Sequence, residues 1–136
     1  MSTKENKSDD NKEFDYKKIK GFKEACESEN IDATQLPGVD NILEEFRKPL
    51  IAAYKLMVGT KAVNKGFKVD YTNRNQLKHF PVARVLLSGS GFDFAFSVSN
   101  FDDTVVYVGS RLLSEDDDKA MHVFENFKEE YNDWLL

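Results

Sequence analysis

The first twelve positions after Met1 carry Ser, Thr, Lys, Glu, Asn and Asp and no apolar side chain. Such a stretch has too little apolar surface to offset its ordering entropy, so residues 1–13 are expected to form a flexible polar tail. Residues 14–136 are expected to form a single domain. Ile19, Phe22 and Cys26 fall on one stripe of a short helix that Gly21 weakens. A loop with Thr34, Pro37 and Gly38 follows. Asp40 is expected to cap a helix carrying Ile42, Leu43 and Phe46. Pro49 either kinks that helix or starts another. Leu50, Ala53, Tyr54, Met57, Val58 and Ala62 keep helical spacing after it, and Gly66 suits the left-handed residue just past the helix end.

The second half changes period. Residues 67–78 mix polar and aromatic side chains without any repeat and are expected to be irregular. A β-rich run over 79–87 is followed by the connection Ser88-Gly89-Ser90-Gly91. Phe92, Phe94, Phe96 and Val98 then alternate with small and polar residues as in a half-buried strand. A third strand is expected over Thr104–Val108. Ser114 with Asp117 resembles a capping box, and acidic residues 115–118 suit a first helical turn. Ala120, Phe124, Phe127, Tyr131 and Trp134 then give one long helix an aromatic face. The expected fold is α+β. A three-stranded antiparallel β-meander is packed on one face by the central helix and the long C-terminal helix. Phe124 and Phe127 are expected against Phe92, Phe94 or Phe96.

Composition narrows the class. With 19 basic and 24 acidic side chains among 136 residues, the chain carries a net charge of −5, which argues against bulk coating of nucleic acid. The lone Cys26 excludes an internal disulfide. No apolar run reaches the roughly 18 residues of a membrane span. A cytoplasmic protein of a bacterial host cell, without cofactor or membrane association, is expected.

The residues Lys55, Asn64, Gly66, Phe67, Asp70, Asn73, Asn75, Gln76 and Phe80-Pro81 stand in an order that resembles small uncharacterised proteins encoded by phages and prophages of Bacteroidetes. The blocks Gly89-Ser90-Gly91-Phe92 and Val108-Gly109-Ser110-Arg111-Leu112, with an aromatic helix near Tyr131, extend the resemblance over roughly residues 15–136. The relatives usually carry tryptophan where this chain has Phe67 and Tyr71. The resemblance implies a genomic setting and no mechanism.

Chemistry-bearing motifs are sparse. Glu115 to Asp118 lacks the ligand spacing of a calcium loop, so no metal site is expected. Cys26, His79 and His122 share no ligand spacing; Cys26 lies on an apolar stripe and His122 among polar helix positions, so no catalytic residue is expected. The glycine-rich connection 88–91 joins strands and has no helix behind it to hold a phosphate. Charge is segregated, however. Residues 61–84 hold Lys61, Lys65, Lys68, Arg74, Lys78 and Arg84 against Asp70 alone, whereas 114–133 are strongly acidic. The expected function is that of a non-enzymatic, phage- or prophage-derived accessory protein acting through protein–protein contacts. The alternative is single-stranded nucleic-acid binding, with Lys65, Lys68, Arg74 and Lys78 on phosphates and Tyr71 on a base.

Overall fold

The computed structural model describes residues 13–73, 75–100 and 110–136. Within these it is an α+β fold of helices and a two-stranded antiparallel sheet. The third strand expected over 104–108 lies outside the described residues, as does most of the expected tail.

The expected first helix is divided. A 3-10 turn, Tyr16–Lys18, is capped by the Asp15 carboxylate, and α1 spans Phe22–Glu29. Gly21 sits between them in extended backbone. Asn30 closes α1 in left-handed geometry, φ 55°, a conformation in which asparagine is among the few tolerated residues.

The central helix α2 spans Glu44–Val63 and continues past Pro49, which lies within it. Its start departs from expectation. Leu43 rather than Asp40 occupies the N-cap, and no side chain caps there. The Arg47 guanidinium instead gathers the approaching loop, donating to the carbonyls of Ile42 at 2.8 Å and Asp40 at 3.0 Å. At the other end the helix stops at Asn64, and Gly66 takes the left-handed turn with φ 82° two residues later.

Strands β1, Lys78–Val85, and β2, Phe92–Asn100, pair antiparallel with Val82 opposite Phe96. They are joined through the glycine connection, where Leu86 N–H donates to the Gly91 carbonyl at 2.8 Å.

The C-terminal aromatic face is real, but it is carried by two helices. α3 spans Asp117–Asn126, α4 spans Lys128–Leu135, and the break falls at Phe127. Asp116, not Ser114, caps α3 by accepting from Lys119 N–H. Ser114 is instead bridged by backbone hydrogen bonds to His79 of β1, at 3.0 and 2.8 Å. α3 carries the sheet, while α2 packs against α1, α3 and α4. The core between them includes Cys26, Leu56, Val63, Val123, Phe124, Phe127 and Tyr131. Phe124 meets Phe92 edge-on at 5.6 Å as expected. Phe127 turns instead to Gly59 of α2, and Phe96 is 45% exposed.

Candidate functional site

The irregular segment after α2 is built by its own polar side chains. Asp70 accepts from the Thr72 backbone and hydroxyl at 2.9 and 2.6 Å, and Asn73 accepts from Asn75 N–H at 3.0 Å. These are Asx-turns, in which a short side chain substitutes for backbone hydrogen bonding. The Gln76 amide then ties the segment shut, accepting from Asp70 N–H at 2.7 Å and donating to the Lys68 carbonyl at 2.8 Å. The Thr72 hydroxyl, followed by its N–H, holds the Asp70 carboxyl below the usual carboxylate range.

That brace decides where the candidate residues stand. Lys78 is completely buried. Its ammonium donates to the carbonyls of Gln76 at 3.0 Å and Asn73 at 3.4 Å and lies 5.6 Å from the centre of the Tyr71 ring. Both Lys78 and Tyr71 therefore serve the segment's interior. Lys65 reaches back to the Ser28 carbonyl at 3.5 Å and lies over the Phe14 ring. Lys68 is exposed. Arg74 lies outside the described residues. Tyr71 and Lys78 thus do not join Lys68 on one outward face.

Next to this segment, α2 offers two neighbouring surfaces. The first is an apolar stripe. Leu43, Leu50 and Met57 recur every seven residues with Phe46 between them, and they are 65, 45, 37 and 51% exposed for Leu43, Leu50, Met57 and Phe46 respectively. The opposite side of the helix, with Ala52, Leu56, Gly59 and Val63, is buried. The stripe therefore faces away from the core.

The second surface is a groove of about 510 Å³, lined by Tyr54, Met57 and Val58 of α2, by Phe67 and Val69, and by Leu113. Its charged lining consists of Lys61, Lys68 and Arg111, without a carboxylate among the described residues. Lys61 pairs with Glu29 at 3.5 Å. Lys68 and Arg111 form no ion pair among the described residues. Thr60 also lines the groove; it is buried, and its hydroxyl has no hydrogen-bond partner. An unsatisfied buried hydroxyl costs about 1–3 kcal/mol, and this one is sealed from solvent. Sequence reading missed the groove because Arg111 joins Lys61 and Lys68 only through the fold.

Between groove and sheet lies a satisfied polar cluster. Asn64 donates to the Thr60 carbonyl at 2.9 Å and to Ser114 Oγ at 3.0 Å, and accepts from Glu115 N–H at 2.8 Å. His79 Nδ1 donates to Asp117 at 2.8 Å. Ser114, His79 and Asp117 are hydrolase residue types, but Ser114 is 1% exposed and no hydrogen bond joins it to the imidazole. The cluster fastens α2 to β1 and α3. The Ser97 hydroxyl and then the His79 imidazole hold the Asp117 carboxyl below its usual range. Ser97 Oγ lies outside good hydrogen-bond geometry, so the 2.8 Å His79 contact is the better defined of the two.

The remaining candidates also stand apart. Cys26 is buried, and burial, aided by Asp32 against Lys55, pushes its thiol up. His122, expected among solvated positions, is half-buried instead. Its Nε2 donates to the Ile19 carbonyl at 2.7 Å and its ring meets Tyr16 edge-on. Among the described residues no cluster of three metal-ligating side chains forms, and no helix is long and apolar enough to cross a membrane. No protein-family model, curated protein or solved structure matches the chain.

Proposed function

We propose that the protein is a non-enzymatic accessory protein, phage- or prophage-derived, that works by binding another protein through the exposed stripe of α2. The observation that carries this reading is the exposure of Leu43, Phe46 and Leu50 on one helix face. Apolar side chains at spacings of three and seven are what an amphipathic helix of a partner needs to interlock with. One row of four partly exposed side chains offers far less than the ~800 Å² per partner of a stable self-contained interface. That area suits one short helix better than a second copy of the chain. Glu44 and Glu45 in the first turn favour a partner helix that carries basic residues opposite them.

The test uses a stapled amphipathic peptide with leucines at a and d positions and lysines placed opposite Glu44 and Glu45. Anisotropy should show micromolar binding that Phe46→Glu or Leu50→Glu abolishes while the circular dichroism spectrum stays unchanged. Binding that ignores both substitutions, or a dimer sedimenting at micromolar concentration and dissociated by Leu50→Glu, would overturn the partner-helix reading.

The single-stranded nucleic-acid reading has less support. Two of its five residues, Tyr71 and Lys78, are engaged with each other inside the segment. Among the described residues Lys65 and Lys68 remain for it, and Arg74 lies outside them.

A further inference from the structure

The groove beside Phe67 has features that the partner-helix reading does not use. Its walls come from three separate parts of the chain: the C-terminal half of α2, the segment 67–69, and the 3-10 helix Ser110–Leu112 with Leu113. Its volume, about 510 Å³, falls in the range of small-molecule sites. Most of the lining is apolar, yet every charged residue on it is basic, in a chain whose acidic side chains outnumber the basic ones. Of these, Lys68 and Arg111 are exposed and without an ion pair among the described residues. Thr60 also lines the groove, but its hydroxyl oxygen is sealed from solvent, so the charged and apolar lining is what a ligand meets.

We propose that this groove binds a small organic anion, with its acidic head between Lys68 and Arg111 and its apolar body against Tyr54, Met57, Phe67 and Val69. The guanidinium of Arg111 offers a planar fork to a carboxylate or phosphate, and Lys68 adds a mobile point charge. An apolar body displaces water from the groove floor. Tyr54 is held in place for this role by its edge-on contact with Phe22 at 6.2 Å. Neutral apolar molecules would meet the same floor but gain nothing from the two cations. The anion, not the apolar body alone, is therefore what the groove selects.

The experiment is a titration of the full chain with decanoate and with 1-naphthyl phosphate, each beside its neutral counterpart, decanol or 1-naphthol. Binding is followed by two-dimensional amide NMR. The two anions separate an aliphatic from an aromatic body. At least one should saturate with a Kd below about 100 µM, shifting resonances of residues 54–69 and 110–113, and its neutral counterpart should bind about tenfold more weakly. Arg111→Ala and Lys68→Ala, both at exposed positions, should each weaken the anion about five- to tenfold. Leu50→Glu, which destroys the stripe, should leave anion binding unchanged, so the two surfaces fail or stand separately. No saturation by either anion at about 1 mM, or equal binding of the neutral counterpart, would overturn the proposal.

Discussion

The ring of Phe127 lies so close to Gly59 that a Cβ at position 59 would sit 2.5 Å from its Cζ. Glycine at this point of α2 lets the ring reach the helix backbone, and the break between α3 and α4 falls at the same phenylalanine. Phe127→Ala should cost about 3–5 kcal/mol, the usual penalty for emptying a buried aromatic site. Gly59→Ala should cost about 1–3 kcal/mol in the parent, because the ring must move. In the Phe127→Ala background the same glycine replacement should become neutral or stabilise by up to about 1 kcal/mol, since only the helix propensity of alanine remains. Chemical denaturation of the four proteins measures the cycle. Equal effects of Gly59→Ala in both backgrounds would refute the contact.

How much of this was legible in the sequence depends on the range of each interaction. α2, the hairpin and the aromatic face from Ala120 to Trp134 follow from periodicity, which any single stretch of chain carries. The break at Phe127 does not, because it coincides with a contact to a residue 68 positions earlier. The same holds for the groove, whose cations come from residues 61, 68 and 111. Asp70 and Asn73 are different. Their Asx-turn spacings, Asp-x-Thr and Asn-x-Asn, are present in the sequence and mark the turns that Asp70 and Asn73 close. Reading residues 67–78 as merely irregular passed over that signal. Asp40 shows the opposite error. It is a good cap by type, but the Arg47 side chain takes its carbonyl and the helix starts later.

Asn64 should be among the least replaceable polar residues. It meets Thr60, Ser114 and Glu115 through hydrogen bonds of 2.8–3.0 Å. Asn64→Ala would strand the Glu115 N–H and the Ser114 hydroxyl, and should cost about 2–4 kcal/mol. The melting temperature measures it. A variant within a degree or two of the parent would mean that water replaces the amide without loss.

Cys26 is 1% exposed and its thiol is raised, chiefly by burial. Thiolate, not thiol, is the reacting form. A thiol reagent such as Ellman's should therefore react slowly with the native protein at pH 7 and fully within seconds to minutes in denaturant. Rapid stoichiometric reaction of the native chain would show that α1 opens readily.

Acid should weaken the fold in a specific window. The carboxyls of Asp32, Asp70 and Asp117 are held low, the first two by hydrogen bonds from the threonine two residues on, the third by Ser97 and His79. A carboxyl whose folded pKa lies below its unfolded value, about 3.9 for aspartate, stabilises the fold above that value. The contribution disappears as pH falls through the folded pKa. The denaturation midpoint should therefore decline as pH drops below about 4. Replacing Asp32 and Asp70 by Asn should make that decline shallower. An unchanged acid limb in the double variant would show that these turns add no pH-dependent stability.

The two basic residues Lys68 and Lys78 separate a nucleic-acid surface from a structural brace. If strands of nucleic acid bind the segment, log–log salt plots should lose about 0.7 units of slope for each phosphate contact removed. Lys68→Ala, at an exposed position, should then flatten the slope by about that amount without changing the melting temperature. Lys78→Met should behave in the reverse way. It removes a buried ammonium from the carbonyls of Asn73 and Gln76 and from the Tyr71 ring. The segment's stability should fall, and the salt slope should hold wherever the variant remains folded. Titration of a fluorescent oligothymidylate between about 50 and 200 mM salt reads both effects. No binding at the lower salt would leave the α2 stripe as the surface through which this chain meets a partner. A slope reduced by Lys78→Met with no loss of stability would mean that the ammonium swings outward to a phosphate, and the nucleic-acid reading would then regain its fourth cation.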